Sequence, residues 1–126
     1  MPNAEAIMGF LKELKDKDSS IGACMVAKKG LEGLIMFPED FKDEVSTVWE
    51  PLSNNLDDML DIVGKYSMLG LGRLYSEVLG FGIFFLPLPM SDTALIVFVK
   101  GEDPIKDASR LMEEMEATKK RILESY

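Results

Sequence analysis

The sequence predicts a single α/β layer structure, and three observations carry that prediction. The run Thr93-Ala94-Leu95-Ile96-Val97-Phe98-Val99 is apolar after its first residue and has four β-branched members. That is the composition of a strand buried on both faces, and it is too short for an ordinary helix. Two apolar runs precede it across a short link, and another lies near the N-terminus, so neighbours exist for both of its edges. Periodic amphipathic segments at both ends and in the middle supply the helices that such a strand needs on its faces.

Residues 4–17 place Ile7, Met8, Leu11 and Leu14 at helical spacing, with Lys12, Glu13, Lys15 and Asp16 between them. Asn3 is positioned to cap this helix. Residues 21–27 read as a strand buried on both faces, and residues 31–37 as a second. Lys28-Lys29-Gly30 is a tight connection, in which glycine supplies the positive φ that a hairpin turn commonly needs. A link this short favours an antiparallel pair over a crossover.

Pro38 ends the second strand, since proline has no N–H to give a ladder. Residues 43–65 then carry Val45, Val48, Trp49, Leu52, Leu56, Met59, Leu60 and Val63 at intervals of three and four, which predicts one long helix bent at Pro51. The alternative is a short turn ending near Trp49 and a second helix that begins at Pro51.

Ser67 to Gly72 is a connection by its glycines. Residues 73–79 form a modest alternating strand, more exposed than the others and so nearer an edge, and Gly80 breaks it. Residues 81–88 make a strongly apolar strand stopped by Pro87 and Pro89, and a turn through residues 90–92 delivers the chain to the central strand. The last segment, residues 103–124, puts Ile105, Ala108, Leu111, Met112, Met115 and Ile122 on one helical stripe, with Pro104 in the first turn and Glu102 and Asp103 at the positive end of the dipole.

At 126 residues the chain fits one domain spanning 1–126, large enough to bury about two thirds of its unfolded surface. The formal charge is −8, from 22 acidic against 14 basic residues, which disfavours nucleic acid and anionic membrane as partners. The patch Lys119-Lys120-Arg121 sits among acids on a terminal helix. No run reaches the roughly 20 apolar residues that span a bilayer, and the start lacks the pattern of a secretory leader, so the expectation is a soluble, cytoplasmic protein.

With no histidine, no Ser-His-Asp or Cys-His arrangement can form, and the single Cys24 in an apolar run reads as a small buried hydrophobe. One cysteine and no histidine also make a structural zinc site unpromising. Gly70-Leu71-Gly72 precedes a strand and lacks both the third glycine of a dinucleotide fingerprint and the lysine-hydroxyl pair of a phosphate loop, so it reads as a plain loop. The expectation is no enzyme and no cofactor.

Asp57, Asp58 and Asp61 lie on the long helix, with Asp57 and Asp61 sharing a face at i,i+4. Like charges so spaced repel by a few tenths of a kcal/mol in isolation, which a cation or a basic partner could relieve; the plainer reading is a solvated acidic face. Glu113, Glu114 and Glu116 read as solvent-facing helix residues. Trp49, Met59, Leu60, Met68, Leu69 and Leu71 exceed what one helix face and its loop ordinarily bury, so part of this set points to a subunit contact. A two-fold mate could also cover the exposed edge of the strand at 73–79.

Three stretches, IGACMVAKKGLEGLIMF at 21–37, LGLGRLYSEVL at 69–79 and FGIFFLPLPMSDTALIVFV at 81–99, together resemble the roadblock/LC7 domain family. That family includes dynein light chains of the roadblock type and bacterial and archaeal regulators of small Ras-like GTPases. Pro51 and the Pro87, Pro89 pair depart from its pattern. The resemblance implies an α-β-β-α-β-β-β-α chain with a five-stranded antiparallel sheet in the order 2-1-5-4-3 and helices on both faces. It also implies a homodimer through the long helix and third strand, for which Leu56, Met59, Leu60, Val63, Leu74 and Tyr75 are the candidate residues. The function implied is that of a noncatalytic dimeric adaptor or regulator of a small Ras-like GTPase, one that could assist GTP hydrolysis by ordering the GTPase's switch loops; the residues themselves supply the surface, on which Asp57, Asp58 and Asp61 could meet basic partner groups. Two other readings stand beside it: a scaffold subunit of a larger assembly, and a longin- or profilin-like sensor holding a small apolar ligand between sheet and helix.

Overall fold

The computed structural model describes residues 3–31, 33–89, 92–100 and 108–125. Its elements are α1 (Ala4–Lys17), β1 (Ile21–Lys28), β2 (Ile35–Phe37), α2 (Phe41–Glu44), α3 (Trp49–Tyr66), β3 (Leu74–Val78), β4 (Phe81–Pro87), β5 (Thr93–Val99) and α4 (Ala108–Glu124). All five strands form one sheet in the order β2-β1-β5-β4-β3, every neighbouring pair antiparallel. This is the order that the family resemblance implies, and it puts β5 in the centre.

β5 earns that position by composition. Its seven residues are all buried, and it pairs with β1 from Ile21↔Val99 to Lys28↔Thr93 and with β4 from Gly82↔Val99 to Pro87↔Ala94. Alternation then divides its side chains between two core layers. Leu95, Val97 and Val99 meet α1 and α4 through Ile7, Leu11, Leu14, Leu111, Met115 and Ile122. Ala94, Ile96 and Phe98 meet α3 through Leu52, Leu56, Leu60 and Val63. The second layer also holds Phe41 of α2, whose ring lies 5.0 Å from Phe98 and 5.9 Å from Phe81, in the tilted and edge-on arrangements that aromatic quadrupoles favour.

α1 begins as its sequence predicts: the Asn3 side chain accepts a hydrogen bond from the Ala6 N–H at 3.1 Å. On the same side of the sheet Arg121 of α4 pairs with Glu13 and lies over the Phe10 ring, 4.4 Å from its centroid. The stretch with Glu102, Asp103, Pro104 and Ile105, expected as the first turn of the last helix, lies outside the described residues, as does the turn at Met90 and Ser91. Among the described residues no helix is long and apolar enough to cross a membrane.

Two expectations are corrected. The second strand is three residues long rather than seven, because Gly30 (φ 83°), Leu31 (φ 57°) and Gly33 (φ 62°) hold the backbone out of the extended region before Ile35. The single bent helix over 43–65 is divided instead. α2 stops at Glu44, Val45 (φ −110°, ψ 25°) and Val48 (φ −122°, ψ 7°) leave helical values around a short 3-10 turn, and α3 starts at Trp49. Pro51 is therefore the third residue of a helix, where the N–H it lacks would have had no intrahelical partner. The sequence alternative of two helices is the one observed, with the second starting two residues earlier than proposed.

Candidate interaction surface

α3 is anchored on one flank and open on the other. Its inward stripe of Leu52, Leu56, Leu60 and Val63 is fully buried against the sheet. One turn of the wheel away, Asp57 and Asp61 reach the connection after β1: Asp57 Oδ1 accepts from the Gly30 N–H at 2.5 Å, and Asp61 Oδ1 accepts from Lys29 Nζ at 2.7 Å. Lys65 Nζ approaches the other oxygen of Asp61 at 3.0 Å. The cation that the i,i+4 acids call for is thus supplied within the chain, chiefly by Lys29, and Asp58 is the exposed acid of the three.

The hydrogen bond from Lys29, reinforced by Lys65, holds the Asp61 carboxyl below its ordinary value, and the bond to Asp61 raises the Lys29 ammonium. A lowered carboxylate contributes stability above its unfolded pKa and loses it as pH falls through the folded one; a raised ammonium contributes below its unfolded pKa and loses it as pH rises through the folded one. The tie is therefore complete between the ordinary values of 3.8 and 10.5. Asp61→Asn is expected to lower the melting temperature modestly at pH 7 and low salt, as befits an exposed pair. The difference from the natural chain should shrink to nothing as pH is taken well below 3.8, which melting curves across that range would check.

The opposite flank of α3 runs Asn55, Met59, Ile62, Tyr66, and it turns away from β1 toward β4 and β3. Met59, Leu71, Leu74 and Val78 are half-buried at the margin of the α3 core layer. β3 is an edge strand: Leu74, Ser76 and Val78 are half-buried on the α3 side, while Tyr75 and Glu77 are exposed on the other. The Tyr75 ring lies tilted against that of Phe84, its cross-strand neighbour, at 4.6 Å between ring centroids, and its hydroxyl donates to Glu77 at 3.0 Å.

Of the six residues that the sequence offers for a subunit contact, Leu56, Leu60 and Val63 are wholly buried within the protomer, so they build its own core. Met59, Leu74 and Tyr75 retain surface. Trp49 is half-buried, with Lys42 Nζ 5.3 Å from its ring centroid.

The surface lies further along the chain. Among the described residues the exposed large hydrophobics are Tyr66, Met68, Leu69, Tyr75 and Leu79, all within residues 66–79, and Met68 and Leu69 are 91% and 78% exposed. The loop is held in that shape by Gly70 (φ 90°), whose N–H donates to the Ser67 carbonyl. Leu79 and Gly80 at φ 54° and 82° make the tight β3–β4 turn. The sequence pattern does not mark Tyr66, Leu79, Asn55 and Ser76; for Leu79 the available signal is a large apolar residue directly before a turn glycine. Asn55 Oδ1 of α3 and Ser76 Oγ of β3 are buried without a hydrogen-bond partner, a costly state for a polar atom.

A second apolar groove, lined by Ala4, Met8, Leu34, Ile35, Met36 and Glu39, lies at the opposite edge of the sheet and opens to solvent. It runs between α1 and the edge strand β2 and is open, whereas a ligand sensor would enclose its apolar ligand.

No family model matches the chain, and no curated protein sequence matches it. Among solved structures it is similar to Myxococcus xanthus MglB, with a TM-score of 0.63 and 11% identity over 97% of this chain and 88% of that one. At that identity the likeness is one of fold, the roadblock-like fold of five antiparallel strands between helical layers.

Proposed function

From that fold and from the surface at residues 66–79 we propose that the protein is a noncatalytic dimeric adaptor that binds and regulates a small Ras-like GTPase. The observation that carries the dimer is the concentration of exposed apolar side chains along one open sheet edge and its adjoining loop. Monomeric proteins rarely leave such a patch uncovered, and an open edge strand invites a partner. Two copies related by a two-fold axis at β3 would continue the sheet and set their α3 helices side by side.

The partner class comes from the family resemblance, with which the observed fold agrees. On the joined α3 helices, Asp58 is the acid most available to a basic partner residue, while Asp57 and Asp61 are already engaged with Gly30, Lys29 and Lys65. The chain offers no imidazole for acid-base work, since it contains no histidine. Its help to hydrolysis would then lie in holding the GTPase's own switch loops in order.

The test is affinity capture from the native cytosol with identification by mass spectrometry, followed by calorimetry of the recovered GTPase loaded with a GTP analogue or with GDP. Tighter binding to one nucleotide state is expected, weakened about tenfold by Asp58→Lys, which corresponds to about 1.4 kcal/mol. Binding to neither state would overturn the GTPase assignment.

A further inference from the structure

On the two-fold dimer just proposed, we infer that β3 pairs with its copy in a single register centred on Ser76, whose hydroxyl meets its own symmetry mate at the axis. An axis normal to the sheet carries each residue to the same face of the copy. Directly opposed residues of an antiparallel ladder also share a face, and neighbours along a strand do not. The axis must therefore fall on a residue, never between two. β3 offers Leu74 to Val78.

Centring on Glu77 sets two carboxylates directly opposite each other, which is destabilising. Centring on Tyr75 opposes Leu74 to Ser76 and carries Val78 past the end of the copy's strand to Gly72. Leu74 or Val78 at the axis leaves most of each strand unpaired. With Ser76 at the axis all five residues pair. Leu74 lies opposite Val78 of the second copy, joining two apolar side chains that are half-buried in the protomer. Tyr75 lies opposite Glu77 of the second copy, the two residue types that already share a hydrogen bond of 3.0 Å within one chain.

Ser76 supplies an independent observation. Its Oγ is buried without a partner in the protomer. At the axis the two hydroxyls come within cross-strand reach, and rotation about χ1 lets one donate to the other, as serine and threonine pairs do across ladders. The same register brings Leu79 beside residues 72–73 of the second copy, next to the loop that carries Met68 and Leu69. The exposed Leu79 at one end of β3 is thereby brought toward the segment that leads into the other copy's strand.

Cysteine cross-linking reads the register. Opposed Cα atoms stand about 4.5–5.5 Å apart, within disulfide reach, whereas diagonal neighbours have Cβ atoms too far apart. Ser76→Cys, Tyr75→Cys and Glu77→Cys chains would be oxidised under identical mild conditions, with mass by light scattering and folding by circular dichroism followed in parallel. Cys24 is fully buried in the core layer against α1 and α4, so the introduced thiol is the one placed at the β3 edge to meet a second chain. Ser76→Cys is expected to convert mostly to a disulfide-linked dimer, Tyr75→Cys and Glu77→Cys alone hardly at all, and a mixture of those two to cross-link with each other.

The mixture reads the same register if Ser76→Cys does not fold. A dimer that cross-links through Tyr75→Cys or Glu77→Cys alone, or whose folded Ser76→Cys chain does not cross-link, overturns the register and leaves the dimer standing. A monomeric mass overturns both.

Discussion

Val97→Asp is expected to remove a large share of the fold's stability. Val97 is fully buried at the middle of β5, between Cys24 of β1 and Phe84 of β4, and its side chain faces the layer closed by α1 and α4. Among the described residues no charged side chain is buried in that layer, and the buried Thr118 of α4 already donates its hydroxyl to the Glu114 carbonyl. A carboxylate there must either stay charged without a partner or take up a proton, and the lost packing adds to that cost. The sum is about 3–5 kcal/mol or more, a large share of the roughly 5–15 kcal/mol that holds such a domain together. A urea transition by circular dichroism would check it; a midpoint within a few tenths molar of the natural chain would contradict the central placement of β5.

Leu60→Ala should destabilise the protomer by about 2–5 kcal/mol, because Leu60 is fully buried under α3 and the cavity left behind refills only in part. The informative contrast is with Met68→Ser combined with Leu69→Ser. Those side chains are almost wholly exposed, so their removal should leave the melting temperature of a dilute protomer nearly unchanged and weaken only association. Stability measured at two protein concentrations separates the effects: the loss from Leu60→Ala persists at both, while that from the double serine variant grows with concentration as the natural chain gains from assembly.

Most of the sheet is legible in the sequence because period and burial reinforce each other there. Thr93 to Val99 has no polar position to place in solvent, and β4 beside it is nearly as apolar, so centre and neighbour follow from composition. The alternation of Arg73 to Leu79 marks an edge for the converse reason. What resisted is where local geometry answers to a distant residue. The run Leu31 to Phe37 has a strand's composition, but the Lys29-Gly30 turn before it is tied to Asp57 and Asp61 of α3, contacts across about 30 positions that no local pattern contains.

The same tie governs the acids. Read alone, Asp57 and Asp61 form a repelling pair awaiting a cation; folded, they are the acceptors that hold a hairpin turn to a helix. The heptad-like stripe of residues 43–65 was also visible, while its interruption at Val45 and Val48 was not, since both valines keep the apolar spacing and only their φ and ψ depart from helix. Leu56, Leu60 and Val63 belonged to that stripe and could not be apportioned between core and interface until the face of α3 against the sheet was known.

The exposed residues carry a different lesson. Met68 and Leu69 stood out as surplus because a loop of that length needs no such apolar content. Tyr66 and Leu79 do not, because each continues a run whose preceding apolar residues face the core. All of them fall within residues 66–79, the segment that runs from the end of α3 through β3, whose outer edge has no strand beside it among the described residues. The two-fold account gives that edge a partner without adding another chain type.

Sedimentation equilibrium of the natural chain at micromolar concentration and moderate salt tests this account most directly. A mass of twice the 14.1 kDa of one chain is predicted, falling toward 14.1 kDa when Met68 and Leu69 are both serine. A natural chain that sediments as 14.1 kDa throughout that range would contradict it.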